Sequence, residues 1–229
     1  MTRGFSRLTA VVAALLAVGL TACSAPAASP SASASSSTSA DVKQLTVTPG
    51  KLTIATGKPG FSPWVENDAP ESGKGFEAAV AYAVAKKMGF SNDQVVWTRT
   101  TFDEAIAPGP KAWDFNLQQY SITDERKKAV DFSSAYYTTA QAVLTYKGSP
   151  VENATSLAAL KDAKIGVAIG TTSQGAATKL IAPTTAPSVF NSNDDAVQAL
   201  KNKQVDALVL DLPTAIYTCL LYTSDAADE

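Results

Sequence analysis

Histidine is missing from all 229 residues. Its absence removes the usual general base near neutral pH and the commonest zinc ligand. Cysteine is scarce: the chain has only Cys23 and Cys219, too few and too far apart for a disulfide framework or a metal knot. The body of the chain between them therefore offers no thiol nucleophile. No large basic block occurs and the net charge is −2, so nothing recommends nucleic acid as a partner. Neither a metal nor a cofactor is expected. Length is not lacking, since 229 residues supply one large domain or two small ones with ample material for a core.

A long apolar run is missing as well. Arg3 and Arg7 precede the stretch Leu8 to Leu20, and small residues follow. That stretch of about a dozen apolar residues is short for a membrane span, and the order of features describes an export signal over residues 1–22. Its ending, Leu20-Thr21-Ala22-Cys23, resembles the bacterial lipobox, which implies cleavage before Cys23 and a lipid on its sulfur. Ser24 to Asp41 is almost wholly Ser, Ala, Pro and Thr, a composition that cannot bury a core, so residues 23–48 are expected to be a flexible tether. The expected place is the outer face of the cytoplasmic membrane, or the periplasm. At the other end, residues 219–229 resemble the in-frame translation of a transposon-type sequencing-library adapter. On that reading the native sequence is cut near Thr218, and the second half of the globular part is incomplete.

Strands and helices alternate between these ends. Leu52 to Thr56 reads as a strand entering after Pro49-Gly50. A turn-rich loop, Gly57 to Lys74, carries Phe61 and Trp64, either as a lid on the local core or as a ligand platform. Phe76, Ala79, Val80, Ala83, Val84 and Met88 recur at helical spacing until Gly89. Strands are expected at Gln94 to Thr98 and Phe115 to Gln119, with a short helix over Phe102 to Ala107 between them. An extended strand, Gln141 to Tyr146, follows, and then the alternation restarts. Helices are expected over 156–160, 173–181 and 194–201, and strands over 163–169, 188–190 and 205–210. Alternation of this kind argues a mostly parallel α/β sheet. Its repetition argues two α/β lobes, over 49–140 and 148–218, joined by a hinge strand at 141–147.

In open α/β sheets a ligand lies beyond the carboxyl ends of the strands. Ser121-Ile122-Thr123-Asp124-Glu125-Arg126 follows such an end. Thr123 can cap a helix, Asp124 and Glu125 suit its first turn, and Arg126 can grip a carboxylate with two parallel bonds. The stretch is either one wall of a small-ligand site or a strand–helix corner with a surface arginine. Lys127 and Lys128 read as a solvated face. Gly170-Thr171-Thr172 opens a helix in the second lobe, and Asp211 ends its last strand. Phe61 and Phe102 can supply apolar walls. An arginine with amides and a nearby aspartate suits a zwitterion, one group for each charged end.

Taken together, several motifs resemble the family 3 extracellular solute-binding proteins, the amino-acid receptors of ABC importers. They are Gly75-Phe76-Glu77, Ser121-Ile122-Thr123 with Arg126, Val130-Asp131-Phe132-Ser133 with Tyr136-Tyr137, Ile165-Gly166-Val167 through Gly170-Thr171-Thr172, and Val205-Asp206-Ala207 through Asp211. Their order holds from about Leu52 to about Pro213. The resemblance implies a two-lobed type II periplasmic-binding-protein fold, a monomer that holds an amino acid between lobes and docks on an ABC permease. It implies that Arg126 pairs with the ligand carboxylate, that Ser121, Thr171 and Thr172 add donors, and that Asp211 takes the ammonium. Phe61 and Phe102 would pack the side chain, Gln119 would add a hydrogen bond, and Trp64 would stand near the mouth.

Two positions depart from the family pattern. Ala79 stands where a second acid is usual. Lys58 stands where an acidic or polar residue often meets the ligand side chain, which hints at an acidic ligand or at a lysine facing solvent. Two other readings share the scaffold: an enzyme related to dehydratases or lytic enzymes, and an amino-acid sensor for a membrane kinase. Glu77, Asp114 and Asp131 could serve an enzyme as acids or bases, but spacing marks no pair of them.

Overall fold

Six consecutive buried residues, Leu52–Gly57, form strand β1 at the middle of the first sheet. In the computed structural model, which describes residues 41–225, β1 runs parallel to β2 (Val95–Thr100) on one side and β3 (Phe115–Asn116) on the other. Helix α1 (Phe76–Lys87) links β1 to β2, and α2 (Phe102–Ile106) links β2 to β3. Leu52 and Ile54 pack with Ala81, Ala85, Phe90 and Leu117, which makes the core of this half.

The second sheet runs in the order β4 (Gln141–Thr145), β7 (Ala207–Asp211), β5 (Ile165–Ala168), β6 (Ser188–Phe190). Only β4 is antiparallel to its neighbour. The strand expected to join the lobes therefore lies in the second sheet, along β7. Helices α3 (Thr172–Ala176), which continues as a π-turn over Ala177–Ile181, and α4 (Asn193–Lys201) cover opposite faces. Val209 joins Ile165, Val167 and Ile181 on one face, while Leu208 and Leu210 join Leu200 and Val205 on the other. This alternation is the two-residue period of a strand buried on both sides. The result is a two-sheet α/β architecture consistent with the type II periplasmic-binding fold.

The structure corrects three local expectations. The buried face of α1 is Glu77, Ala78, Ala81 and Ala85, not the face bearing Ala79, Ala83 and Val84, which are exposed. Small alanines let the helix lie close to β1, which outweighs the larger apolar side chains on the neighbouring face. Strand β3 is shorter than expected, because Leu117 still donates to the Ala55 carbonyl but Gln119 adopts φ +54 and leaves the ladder. The stretch after it is a 3-10 turn, Arg126–Lys128, with the Thr123 hydroxyl accepting from the Arg126 N–H at 3.2 Å.

The expected leader (1–22) and Cys23 lie outside the described residues. Of the expected tether, residues 41–48 are described, with a turn at Val42–Gln44 and the Val47 N–H bonded to Asp114 at 2.7 Å. Beyond β7 the chain enters α5 (Leu212–Asp225) directly.

Candidate functional site

Arg126 lies at the seam between the two halves and is 9% exposed. One guanidinium nitrogen, Nη1, donates to the Ser121 carbonyl in its own half at 2.8 Å. The other, Nη2, donates to the Gly170 carbonyl in the second half at 2.9 Å. Its Cζ stands 5.3 Å from the ring centroids of both Phe102 and Tyr120, and those rings lie 4.2 Å apart. The two rings lie against each other and the cation sits beside the pair, where it gains from their quadrupoles. Burial draws the Arg126 pKa below its ordinary value, with Tyr120 and Asp211 opposing, and an arginine so placed remains charged. Tyr120 donates its hydroxyl to the Phe102 carbonyl, and burial pushes its phenol well above the usual range.

The second half meets this group through the turn after β5. Gly170 has φ +70, and a Cβ there would stand 3.0 Å from the Asp103 carboxylate and 3.9 Å from the Phe102 ring. Only glycine takes both that dihedral and that approach without strain. The Thr171 hydroxyl is spent locally: it donates to the Ala168 carbonyl at 2.7 Å and accepts from the Gln174 N–H at 3.1 Å, capping α3. Thr172 crosses the seam, with its hydroxyl 3.3 Å from that of Ser121.

Asp211 ends β7 opposite Gln141 on β4. The Gln141 side-chain amide donates to its carboxylate and lies 3.5 Å from the Thr172 hydroxyl. Burial raises the Asp211 pKa, while the Gln141 bond and the Arg126 charge pull it down. Ser121, Phe102, Arg126, Thr172 and Asp211 thus form one connected group.

The other candidates stand apart from that group. Gln119 donates its backbone N–H to Glu77 Oε1 at 2.8 Å and its side-chain amide to Glu77 Oε2. Trp64 is buried and packs edge-on against Phe76 and Tyr137, with ring centroids at 5.8 and 5.1 Å. Phe61 serves its own loop, its carbonyl accepting from the N–H groups of Trp64 and Val65 at 2.9 and 2.8 Å. Lys58 is exposed. A cavity of about 1060 Å³ has Trp64, Glu77, Gln119, Ser121, Tyr136 and Asp211 in its wall. It has the size of a small-molecule site.

Sequence reasoning missed Gln141, Tyr120, Tyr136 and the Gly170 carbonyl. Of these, Tyr136 and Gly170 stood in the quoted motifs without a role, whereas Gln141 emerges only from the register that sets it across from Asp211. Glu77 was noted but not placed in the wall. Burial raises its pKa, and hydrogen bonds from Tyr136 and Gln119 counter that. Among the described residues, no group of three acidic or cysteine side chains could hold a metal.

Comparison with known proteins gives the family. The bacterial extracellular solute-binding proteins, family 3, match residues 52–212. A protein of Campylobacter jejuni named "Probable histidine-binding protein" is 32% identical over 171 residues, covering 72% of this chain and 62% of that protein. The "ABC transporter glutamine-binding protein GlnH" of Bacillus subtilis is 33% identical over 147 residues, covering 62% of this chain and 52% of that protein. The chain thus spans between half and two thirds of the length of these curated relatives. A solved structure, "An ancestral arginine-binding protein bound to glutamine", is 34% identical with a TM-score of 0.62, covering 73% of this chain and 72% of that one. The chain belongs to the bacterial extracellular solute-binding proteins of family 3.

Proposed function

We propose that this chain captures an amino acid between its two halves and delivers it to an ABC importer. The observation that carries this reading is the arginine at the seam, bonded at once to Ser121 in one half and Gly170 in the other. The α-carboxylate takes Arg126, exchanging neutral carbonyl acceptors for a charge-assisted pair. Ser121 and Thr172 add hydroxyl donors, and Thr171, whose hydroxyl caps α3, adds its backbone. Asp211, steadied by Gln141, takes the α-ammonium. Phe102 packs on the ligand body. Gln119 and Trp64 serve from the cavity wall, and Phe61 and Lys58 from the loop above. Residues 49–140 act as one lobe and, since β4 of the expected 141–147 hinge belongs to the second sheet, residues 141–218 as the other, with the bend where the chain enters β4. Cys23, after its apolar leader, carries the lipid that holds the protein outside the cytoplasm.

No covalent bond is made or broken in this cycle. Burying two charged ends is tolerable because each meets a partner. The relatives named above, which carry histidine, glutamine and arginine in their names, support an amino acid as the ligand. Titration calorimetry with L-histidine, L-arginine, L-glutamine and L-glutamate tests it. At least one should bind, and its α-carboxamide should not. Binding of none, or equal binding of the carboxamide, would overturn the reading.

A further inference from the structure

Glu77 has no part in the grip just described, yet it is among the most buried polar side chains of the chain, 1% exposed. It stands at the second position of α1, where an acid ordinarily lies on the surface and favours its own helix dipole. Here the carboxylate accepts three donors instead. The Gln119 N–H reaches Oε1 at 2.8 Å, the Tyr136 hydroxyl reaches the same oxygen, and the Gln119 side-chain Nε2 reaches Oε2. An ionised carboxylate only accepts, so it fixes which end of a facing amide turns toward it. The amino end of Gln119 is committed to Glu77, which leaves the carbonyl oxygen Oε1 as the polar end available to the cavity.

The backbone reinforces this arrangement. Gln119 holds φ +54, a left-handed conformation that a side chain disfavours, and its N–H is tied to the same carboxylate. Backbone and side chain are therefore fixed by one group. Two residues later comes Ser121, and both Gln119 and Ser121 line the cavity. We propose that Glu77 is a positioning residue that presents Gln119 Oε1 to the cavity as a hydrogen-bond acceptor, so that the site selects amino acids whose side chains bring N–H donors. A site with a fixed buried acceptor rejects a ligand lacking the matching donor, because the acceptor is then left unpaired.

This selectivity rests on the amino-acid reading, but the orientation of Gln119 does not. The test therefore has two arms. In the first, affinities of L-glutamine and of L-glutamate γ-methyl ester, neutral and of like shape but without the amide donor, are compared by calorimetry. L-Arginine against L-norleucine serves in the same way if L-glutamine does not bind. The wild type should prefer the donor ligand by about tenfold or more. In Glu77→Gln the facing amides can turn over, and the preference should fall to within about threefold. In the second arm, solvent exchange of the Gln119 side-chain NH2 protons is followed by NMR with no ligand added. It should be slow in the wild type and fast in Glu77→Gln. If Glu77→Gln does not fold, Gln119→Leu removes the acceptor, and the preference should collapse equally. A preference unchanged in a folded variant, or unchanged exchange, overturns the proposal. If the wild type binds none of these amino acids, the proposed function fails, and the exchange arm alone decides the orientation.

Discussion

Arg126 carries the most interactions of any residue at the seam: two carbonyls, two aromatic faces and a charge shared with Asp211. Its value to a ligand lies in geometry as much as in charge. The guanidinium is a planar fork that can turn both nitrogens to one carboxylate, whereas a lysine offers a single compact charge. Truncation would leave a bound carboxylate buried without its partner. Arg126→Ala should therefore lose about 3–5 kcal/mol of ligand affinity, the cost typical of breaking a buried pair. Arg126→Lys should recover only part of it. Calorimetry on both variants checks this, and near-wild-type affinity in Arg126→Ala would remove the assigned role.

Helix α1 depends on a backbone contact made just before it begins. The Phe76 and Glu77 N–H groups, which no residue of the helix can satisfy, donate to the carbonyls of Pro63 and Trp64, both at 3.0 Å. Gly75 makes that approach possible. It has φ +99, and a Cβ there would stand 2.5 Å from the Trp64 carbonyl oxygen and 2.8 Å from the Val65 Cα. These neighbours are main chain and cannot swing aside. Gly75→Ala should destabilise the chain by about 1–3 kcal/mol through overpacking and backbone strain, read as a lower melting temperature. Elements such as this one were only partly legible in the sequence. Helical spacing located α1 and found Val80 and Met88, which pack on the core, but missed its most buried face, because alanines at 78, 81 and 85 carry little hydrophobic signal and an acid at 77 carries the opposite one. The strands after β3 were legible because Val, Ile and Leu fill them. The left-handed turn at Gln119 was not, since glutamine gives no sign of positive φ. Ser121, Arg126 and Asp211 were legible as strand-end polar residues. The partner that holds Asp211 becomes visible only once the register of β4 against β7 is known.

At the scale of the whole molecule, the contacts that join the two halves at the seam are the ones an amino acid would remake. Arg126 to Gly170, Ser121 to Thr172, and the close approach of Gly170 to α2 all lie there. The protein thus bridges its seam with neutral acceptors and hydroxyls. A ligand carboxylate and ammonium would add charge-assisted bonds to both sides at once. On the proposed function only the joined arrangement would satisfy both ends, so the ligand would shift the population toward it by the difference in affinity between arrangements. The same linkage appears as stability. At a concentration of about 100 times its Kd, a ligand that binds only the folded chain should add about 2.7 kcal/mol to unfolding and raise the melting temperature. Thr172→Val removes one bridging hydroxyl without touching either core, so the free variant should melt close to the wild type. With ligand held at that same absolute concentration, its melting temperature should rise less, because weaker closure raises the Kd. An equal rise in both proteins would mean that Thr172 does not contribute to closure, and that Arg126 and Asp211 join the halves without it.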